Sequence, residues 1–428
     1  PAGATITNNG TQTGFGREGS VDWQTGSIKT STFTAVSGEG YFVDTSSGTV
    51  TANLPAGSAG AIVAFADYTR TFGNNALTIV PNGTNKIGGV VDNASLDLSG
   101  QAATFVFVDA TEGWINVQNA ETTETGASFI AATGGTITTS GNFKIHTFTG
   151  PGTFCVSAIS SAPASNEVDY MVVAGGGAGG GKNNGGGVGG GGAGGIRIGS
   201  STQPSPMSPS ALIAPGHTVS VSAFPITVGG GGACSTNVPD GTAGTSGSNS
   251  SFSSFTAAGG GGGNDAADNG SNGGSGGGAG EAGGSAGAGN QPPVSPPQGN
   301  PGGTGNSPSI GGGGGGFTTA GENSTPSPTS PTGNGGAGID AGPIFGTANG
   351  SPGGNFGGGG GASTGNPSGG PFSGGSGGGG QGNAHDQASA SGATNTGGGG
   401  GGHGSTGSPQ GGTNGGGSGI VIIRYRFQ

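Results

Sequence analysis

Gly176 to Lys182 spells all but the last letter of a phosphate-binding loop. In such a loop bare backbone N–H groups wrap phosphate oxygens, a lysine adds charge and a final hydroxyl holds magnesium. Here Asn183 takes the place of that hydroxyl. The loop must also open onto a helix N-terminus. Instead the chain runs on into GGGVGGGGAGG from Gly185, which no helix sustains, since each glycine costs about 1 kcal/mol against alanine. The pentapeptide GGSGG, at 273–277 and 374–378, matches the spacing of a nucleophile elbow but lacks the strand-turn-helix around it. In a chain with 113 glycines, composition alone supplies such matches. Asp265 and Asp268, with Asn264 and Asn269, gather oxygens of the kind calcium takes, in a spacing that fits no known calcium loop. Four histidines without a close pair give no zinc site. Cys155 and Cys234 are few enough to form at most one pair, which is no framework. The chain therefore reads as non-enzymatic, with no catalytic residue, no cofactor and no metal.

The composition bounds the partners. Across 428 residues the net charge is −11, and only 7% of residues are charged. Nucleic acid would want a basic face, so it is not an expected partner. No stretch of 18 apolar residues exists to form a membrane helix. Helix formers are scarce while Gly, Ser, Thr, Asn and Val abound, so the expected fold is all-β with almost no α-helix.

The chain reads as four segments. Residues 1–30 form a polar lead-in whose one anchor is Trp23. Residues 31–118 read as a β-sandwich-like module. GTVTANLPAG alternates, with Val50, Ala52 and Leu54 on one face; AIVAFAD at 61–67 is a continuous apolar strand; TFVFVDATEGWINVQ is a hairpin turning at Ala110–Gly113. Residues 119–141 read as a linker, and 142–428 as a glycine-rich domain. This last segment opens on the alternating strands NFKIHTFTGPGTFCVSAI and NEVDYMVV and closes on GIVIIRYRFQ.

The glycines between those strands come in runs. They lack the strict three-residue period of collagen. A flexible linker would not end on a sticky strand, nor repeat one syntax of small lead-in, glycine run and polar loop. A third arrangement needs glycine for its own reasons. Extended glycine helices have three residues per turn, rise about 3.1 Å per residue and make no internal hydrogen bonds. Their N–H and C=O groups must pair with neighbouring helices, and any side chain on an inner face holds those backbones apart. On this reading the core is backbone, Ala178, Val188 and Ala193 sit on outer faces, and Lys182 marks a turn between two runs.

The blocks FKIHTFTGPGTFCV, VDYMVVAGGGAGGG, APGHTVSVSAFPITVGGGGA, GSNSSFSSFTAAGGGGG and GSGIVIIRYRF resemble, in order, the glycine-rich domain of phage tail fibres and tail-tip adhesins. Separately, TFTAVSGEGYFVDTSSGTVTANLPAG, VAFADYTRTFG and FVFVDATEGWINVQ, within residues 32–118, look like a β-module common in tail-fibre proteins. The resemblance implies stacked polyglycine II helices capped by β-strands, with loops between helices that bind a bacterial surface receptor, protein or polysaccharide. It implies a virion-tail, extracellular location, other tail proteins as partners of the N-terminus, and a homotrimer. Small acidic modules also gain core by assembling. The long Ser/Pro loops at 281–310 and 317–356 depart from the family pattern. Phe317, Ile344, Phe345, Phe356 and Phe372, in or beside loops, are candidate receptor anchors; the competing reading seals them onto the glycine lattice. His385, Asp386 and His403 flank glycine runs as candidate sugar contacts. Phe252 and Phe255 are assigned to the core. The alternative function is a self-assembling extracellular filament with no receptor role. A depolymerase is disfavoured, because no paired carboxylates stand on a β-helix repeat.

Overall fold

The computed structural model describes residues 21–118, 129–160, 166–182, 186–202, 205–233, 242–265, 268–305, 309–325, 332–365, 371–384, 387–404 and 414–427. The chain divides into two compact units, one spanning Pro1–Phe129 with Ser160–Ser165, the other Ile130–Ile159 with Asn166–Gln428.

The first unit is a sandwich of two sheets. Its strands are β1 (Asp22–Trp23), β2 (Phe33–Thr34), β3 (Glu39–Val43), β4 (Val50–Asn53), β5 (Ile62–Asp67), β6 (Leu77–Val80), β7 (Ala94–Leu96), β8 (Ala102–Phe107) and β9 (Trp114–Asn116). One sheet has the order β1-β3-β5-β8-β9 and the other β2-β4-β6-β7. Successive strands alternate between the sheets, so β1, β3 and β5 pair in parallel, as do β2, β4 and β6. The chain thus coils through its first six strands and then closes with antiparallel β7, β8 and β9. Val50, Ala52 and Leu54 do face one way, into a core with Val63, Phe65, Leu77, Ile79, Phe105 and Trp114. The β8–β9 hairpin turns where the sequence places it. The lead-in is shorter than the sequence suggests: β1 pairs with β3, and Lys29 bridges Val43. Two residues of strand carry too little pattern to be read.

The second unit is built on β10 (Ala131–Thr133), β11 (Thr136–Ser140), β12 (Phe143–Phe148), β13 (Gly152–Ala158), β14 (Glu167–Val173), β15 (Gly181–Lys182), β16 (Ile196–Ser200), β17 (Ala214–Pro215), β18 (His217–Thr218), β19 (Ala223–Thr227), β20 (Ser250–Phe252), β21 (Phe255–Ala257), β22 (Ile339–Asp340), β23 (Asn355–Phe356), β24 (His403–Gly404) and β25 (Ile420–Arg426), with one short helix, α1 (Gly342–Phe345). A seven-stranded sheet, β11-β12-β25-β14-β16-β17 with β18 also on β14, is the middle layer. On one face Val421, Ile423 and Tyr425 of β25 join Val168, Tyr170 and Val172 of β14 against the sheet β10-β13-β19-β20-β21, where Phe154 and Phe252 lie. On the other face Ile420 and Ile422 join Met171, Val173, Ile196 and Ile198. Strict alternation in IVIIRYRF thus feeds two cores at once. Residues 130–141 belong to this unit and not to a linker. β10 and β11 are short, and all five residues of β11 are exposed, so they carry no apolar alternation to announce a strand.

From β14 the chain runs straight into Ala174–Gly181, and Gly186–Gly195 returns it into β16. The returning run shows how the glycines pack. Its N–H groups point in turn to three neighbours: Gly189 to Asn264 O, Gly190 to Gly312 O, Gly191 to Gly400 O, then Gly192 to Gly261 O, Ala193 to Gly315 O and Gly194 to Gly397 O. The repeat is three residues, the period of a polyglycine II helix. Its carbonyls accept from three further runs, through Gly177, Gly278 and Gly360. The run is therefore enclosed by six others, and the core of the glycine lattice is backbone. At Gly189, Gly190, Gly191, Gly314 and Gly400 an added Cβ would fall on a neighbouring carbonyl, closer than the 3.0 Å that real Cβ atoms respect. Ala178, Val188 and Ala193 do not sit on the outer faces that their sequence positions suggest; all three are fully buried. The lattice admits a small side chain at such places, so a non-glycine inside a run does not mark the surface.

Candidate functional site

The loop-like Gly176–Lys182 segment is structural. The N–H groups of Gly176, Gly177, Ala178, Gly179, Gly180 and Gly181 are donated to carbonyls of Gly417, Gly192, Thr245, Asn414, Gly189 and Thr242, so none is bare for a phosphate. Lys182 pairs with Glu281 at 2.6 Å, and the other oxygen of Glu281 accepts from Gly187 N at 2.9 Å. That pair holds the ends of the runs together. Ser275, in the first GGSGG, is buried and donates its hydroxyl to Gly316 O at 3.2 Å. Asp265 O accepts from Asp268 N in a turn, and Asn269 Oδ1 accepts from Ser285 N, 16 residues on, tying two segments together. Among the described residues no three His, Cys, Asp or Glu gather as for a metal.

The aromatic candidates fall in cores. Phe317, Ile344, Phe345 and Phe356 pack with Met171, Val173, Ile196 and Ile422 beneath the seven-stranded sheet, at 0–3% exposure. Phe372 packs with Ile310 and Ala362. Side chains this buried offer a partner no surface, so these five seal the lattice. Their placement beside loops in the sequence misleads because α1, β22 and β23 fold those loops back over the apolar sheet face. Phe252 and Phe255 lie in the other core and against it, in keeping with their core assignment. His403 is also buried, its N–H bonded to Gly180 O and its Nδ1 3.3 Å from Ser389 Oγ. His385 and Asp386 lie outside the described residues, as does Cys234; Cys155 is exposed and free.

Successive runs travel away from the sheets and back. β14 and β16, which start and finish the first pair, meet at Val173 and Ile196, while Gly180 and Gly189 meet at the far end. Short bridges tie that far end together: Gly181 with Thr242 and His403, Ile310 with Thr364, Thr364 with Ala384. Asn383 fastens Gly404 from both sides, donating to its carbonyl and accepting from its N–H, each at 2.9 Å. The result is a frame whose described chain ends at this side are tied to one another by backbone bridges.

Three histidines are held neutral by burial. His146 sits between Gly134 O (2.7 Å) and Tyr425 Oη (3.2 Å), and its pKa is pushed below the ordinary 6.5 mainly by desolvation, with Lys144 adding to the effect. His217, boxed by Phe252, Phe255 and Phe224, and His403 are depressed by burial as well. With the folded pKa below the unfolded one, the unfolded chain binds more protons in between, so stability rises with pH there. The melting temperature of this unit is expected to fall as pH drops below about 6.5, and His146→Gln to weaken that fall. A flat profile from pH 7.5 to 5, measured by circular dichroism melts, would count against neutral burial.

These features define an all-β protein whose second unit is a polyglycine II lattice closed by a β-sandwich. A family model described as a glycine-rich domain matches residues 147–426. That match takes in more than half of the chain, and the chain belongs to this glycine-rich domain family. No curated protein is similar enough to the chain to count as a match.

Proposed function

We propose that the chain is a phage tail-fibre or tail-tip protein that attaches the particle to a bacterial surface, by receptor recognition and without catalysis. The observation that carries this reading is the far end of the lattice. There a backbone-built frame fixes the positions at which many connecting segments leave and return, and loops on a rigid frame are suited to recognition. The sequence blocks that resemble tail-fibre proteins support it, as does an acidic chain that would shun nucleic acid. On this reading the contacts are made by the connecting segments, His385 and Asp386 among them, and not by the buried aromatics.

The first unit suits assembly into a homotrimer and joining to other tail proteins. The outer face of its five-stranded sheet is apolar. Trp23 packs on Phe42 (4.9 Å between centroids), with Tyr68 beside them, and Val106, Ile115 and Val117 continue the face. Tyr68 and Val117 are 58% and 59% exposed, an arrangement a second copy would cover. Sedimentation equilibrium is expected to give three copies per particle; a monomer would remove the trimer from the proposal.

The main test is adsorption of labelled full chain to a panel of bacterial strains, competed by unlabelled chain. Saturable binding to some strains is expected. A folded chain that binds none and grows into long polymers would favour a structural filament instead.

A further inference from the structure

The seven-stranded sheet ends at β11, and the β11–β12 hairpin carries a row of exposed hydroxyl side chains. Register sets Thr136 beside Thr147 and Thr138 beside Ile145 on one face. The turn that leaves α1 rises next to them, and hairpin and turn enclose a cleft of about 570 Å³. That is within the range of small-ligand sites, about 300–1,000 Å³. Its polar lining includes Thr136, Thr138, Ser140, Thr147, Thr347 and Asn349. Ile145, lying over the buried Phe345, supplies a small apolar floor, and no charged residue lines the cleft.

Several hydroxyls elsewhere in this unit are committed to the backbone. Ser250 donates to Val173 O at 2.8 Å, Thr318 to Ala337 O at 3.0 Å and Thr396 to Ala393 O at 2.6 Å. In the cleft the side-chain hydroxyls of Thr136, Thr138, Ser140, Thr147 and Thr347 have no partner among the described residues. A rank of uncommitted hydroxyls beside a small apolar floor is an open hydrogen-bonding surface. Each hydroxyl can both donate and accept.

We propose that this cleft binds a neutral saccharide, a segment of an uncharged surface polysaccharide. The proposal rests on the attachment reading and adds to it a ligand class and a contact region outside the run-end loops. Sugar hydroxyls also donate and accept, so they pair with threonine hydroxyls and the Asn349 amide in either sense. The C–H face of a sugar ring suits the small apolar floor at Ile145. An acidic polysaccharide would meet no cation in the cleft and a chain of net charge −11 around it.

The test uses the full chain on an array of neutral oligosaccharides (hexose and N-acetylhexosamine polymers) and of acidic ones bearing uronate or phosphate. Two variants are compared, Thr138→Val with Thr147→Val on the hairpin, and Thr347→Val on the facing turn. Valine keeps the shape and the β-branch, so melting is expected to stay within about a degree or two, as for surface substitutions. The expected result is binding to at least one neutral saccharide, weakened tenfold or more in both variants, with no acidic saccharide bound. Undiminished binding in both variants overturns the cleft. So does an array with no neutral binder; if the chain then still adsorbs to cells, through a protein receptor or a strand added to the free edge of β11, attachment stands without the cleft. If it adsorbs to nothing, the attachment reading falls too.

Discussion

Gly313→Val is expected to abolish folding of the glycine-rich unit. A Cβ at Gly313 would fall on the carbonyl of Asn334, with Gly333 O also in reach, and both are backbone that cannot swing aside. Gly313 also donates to Glu322 O and accepts from Gly303 N, so it cannot retreat without breaking the bonds on its other sides. Net hydrogen bonds of about 1 kcal/mol each are the main return on ordering so much glycine, and separating two runs forfeits several together. A loss above about 4–5 kcal/mol is the size that marks a disrupted core. Gly230→Ala is the control. Gly230 also lies in a run, but a Cβ there meets nothing within 4 Å, and it is exposed. Circular dichroism melts and limited proteolysis should show Gly230→Ala near wild type and Gly313→Val without a folded second unit. Equal tolerance of both would mean that the runs are not close-packed.

Asp169→Ala is expected to cost about 3–5 kcal/mol, the range found when one partner of a buried ion pair is removed. Asp169 is 1% exposed and takes Arg424 Nε at 2.7 Å and Nη2 at 2.6 Å on one oxygen. Its other oxygen accepts from Ser201 N and Ser201 Oγ at 2.6 and 2.8 Å. Arg424 reaches on to Ile344 O at 2.8 Å and lies 4.1 Å over the Phe143 ring. One charge pair thus ties β14, β25, the end of β16 and α1. Without the carboxylate the guanidinium stays among apolar neighbours with its charge unmatched. Asp169→Ala combined with Arg424→Met should therefore lose less than the two single losses added, in urea denaturation of all three variants. Simple additivity would show that the groups do not stabilise each other.

Much of this architecture is legible in the residues alone. Alternation marks β14 and β25, and their flanking runs name the material of the core. The roles of single residues are less legible. Phe317, Phe345 and Phe356 each stand next to a glycine, which reads as loop, yet each lies beneath the sheet. Val188 reads as a surface interruption of a run and is fully buried. In both cases the deciding neighbour is remote in sequence: Phe317 N bonds to Gly357 O and Val188 N to Ser363 Oγ. The cleft escapes a sequence reading for the opposite reason. Thr136 and Thr347 are ordinary surface threonines until the turn after α1 is laid beside the hairpin.

The sequence by itself determined the building rule. Runs of glycine without a collagen period admit dense order only by pairing backbone with backbone, and the strands at their ends must cap them. Tertiary structure alone decided which run lies beside which, which aromatic is sealed and where hydroxyls remain free. The physical reason is that a polyglycine helix has no side chains to encode its neighbours. Its hydrogen bonds are alike in every direction, so the partner of each run is set by the strands and turns that anchor its two ends.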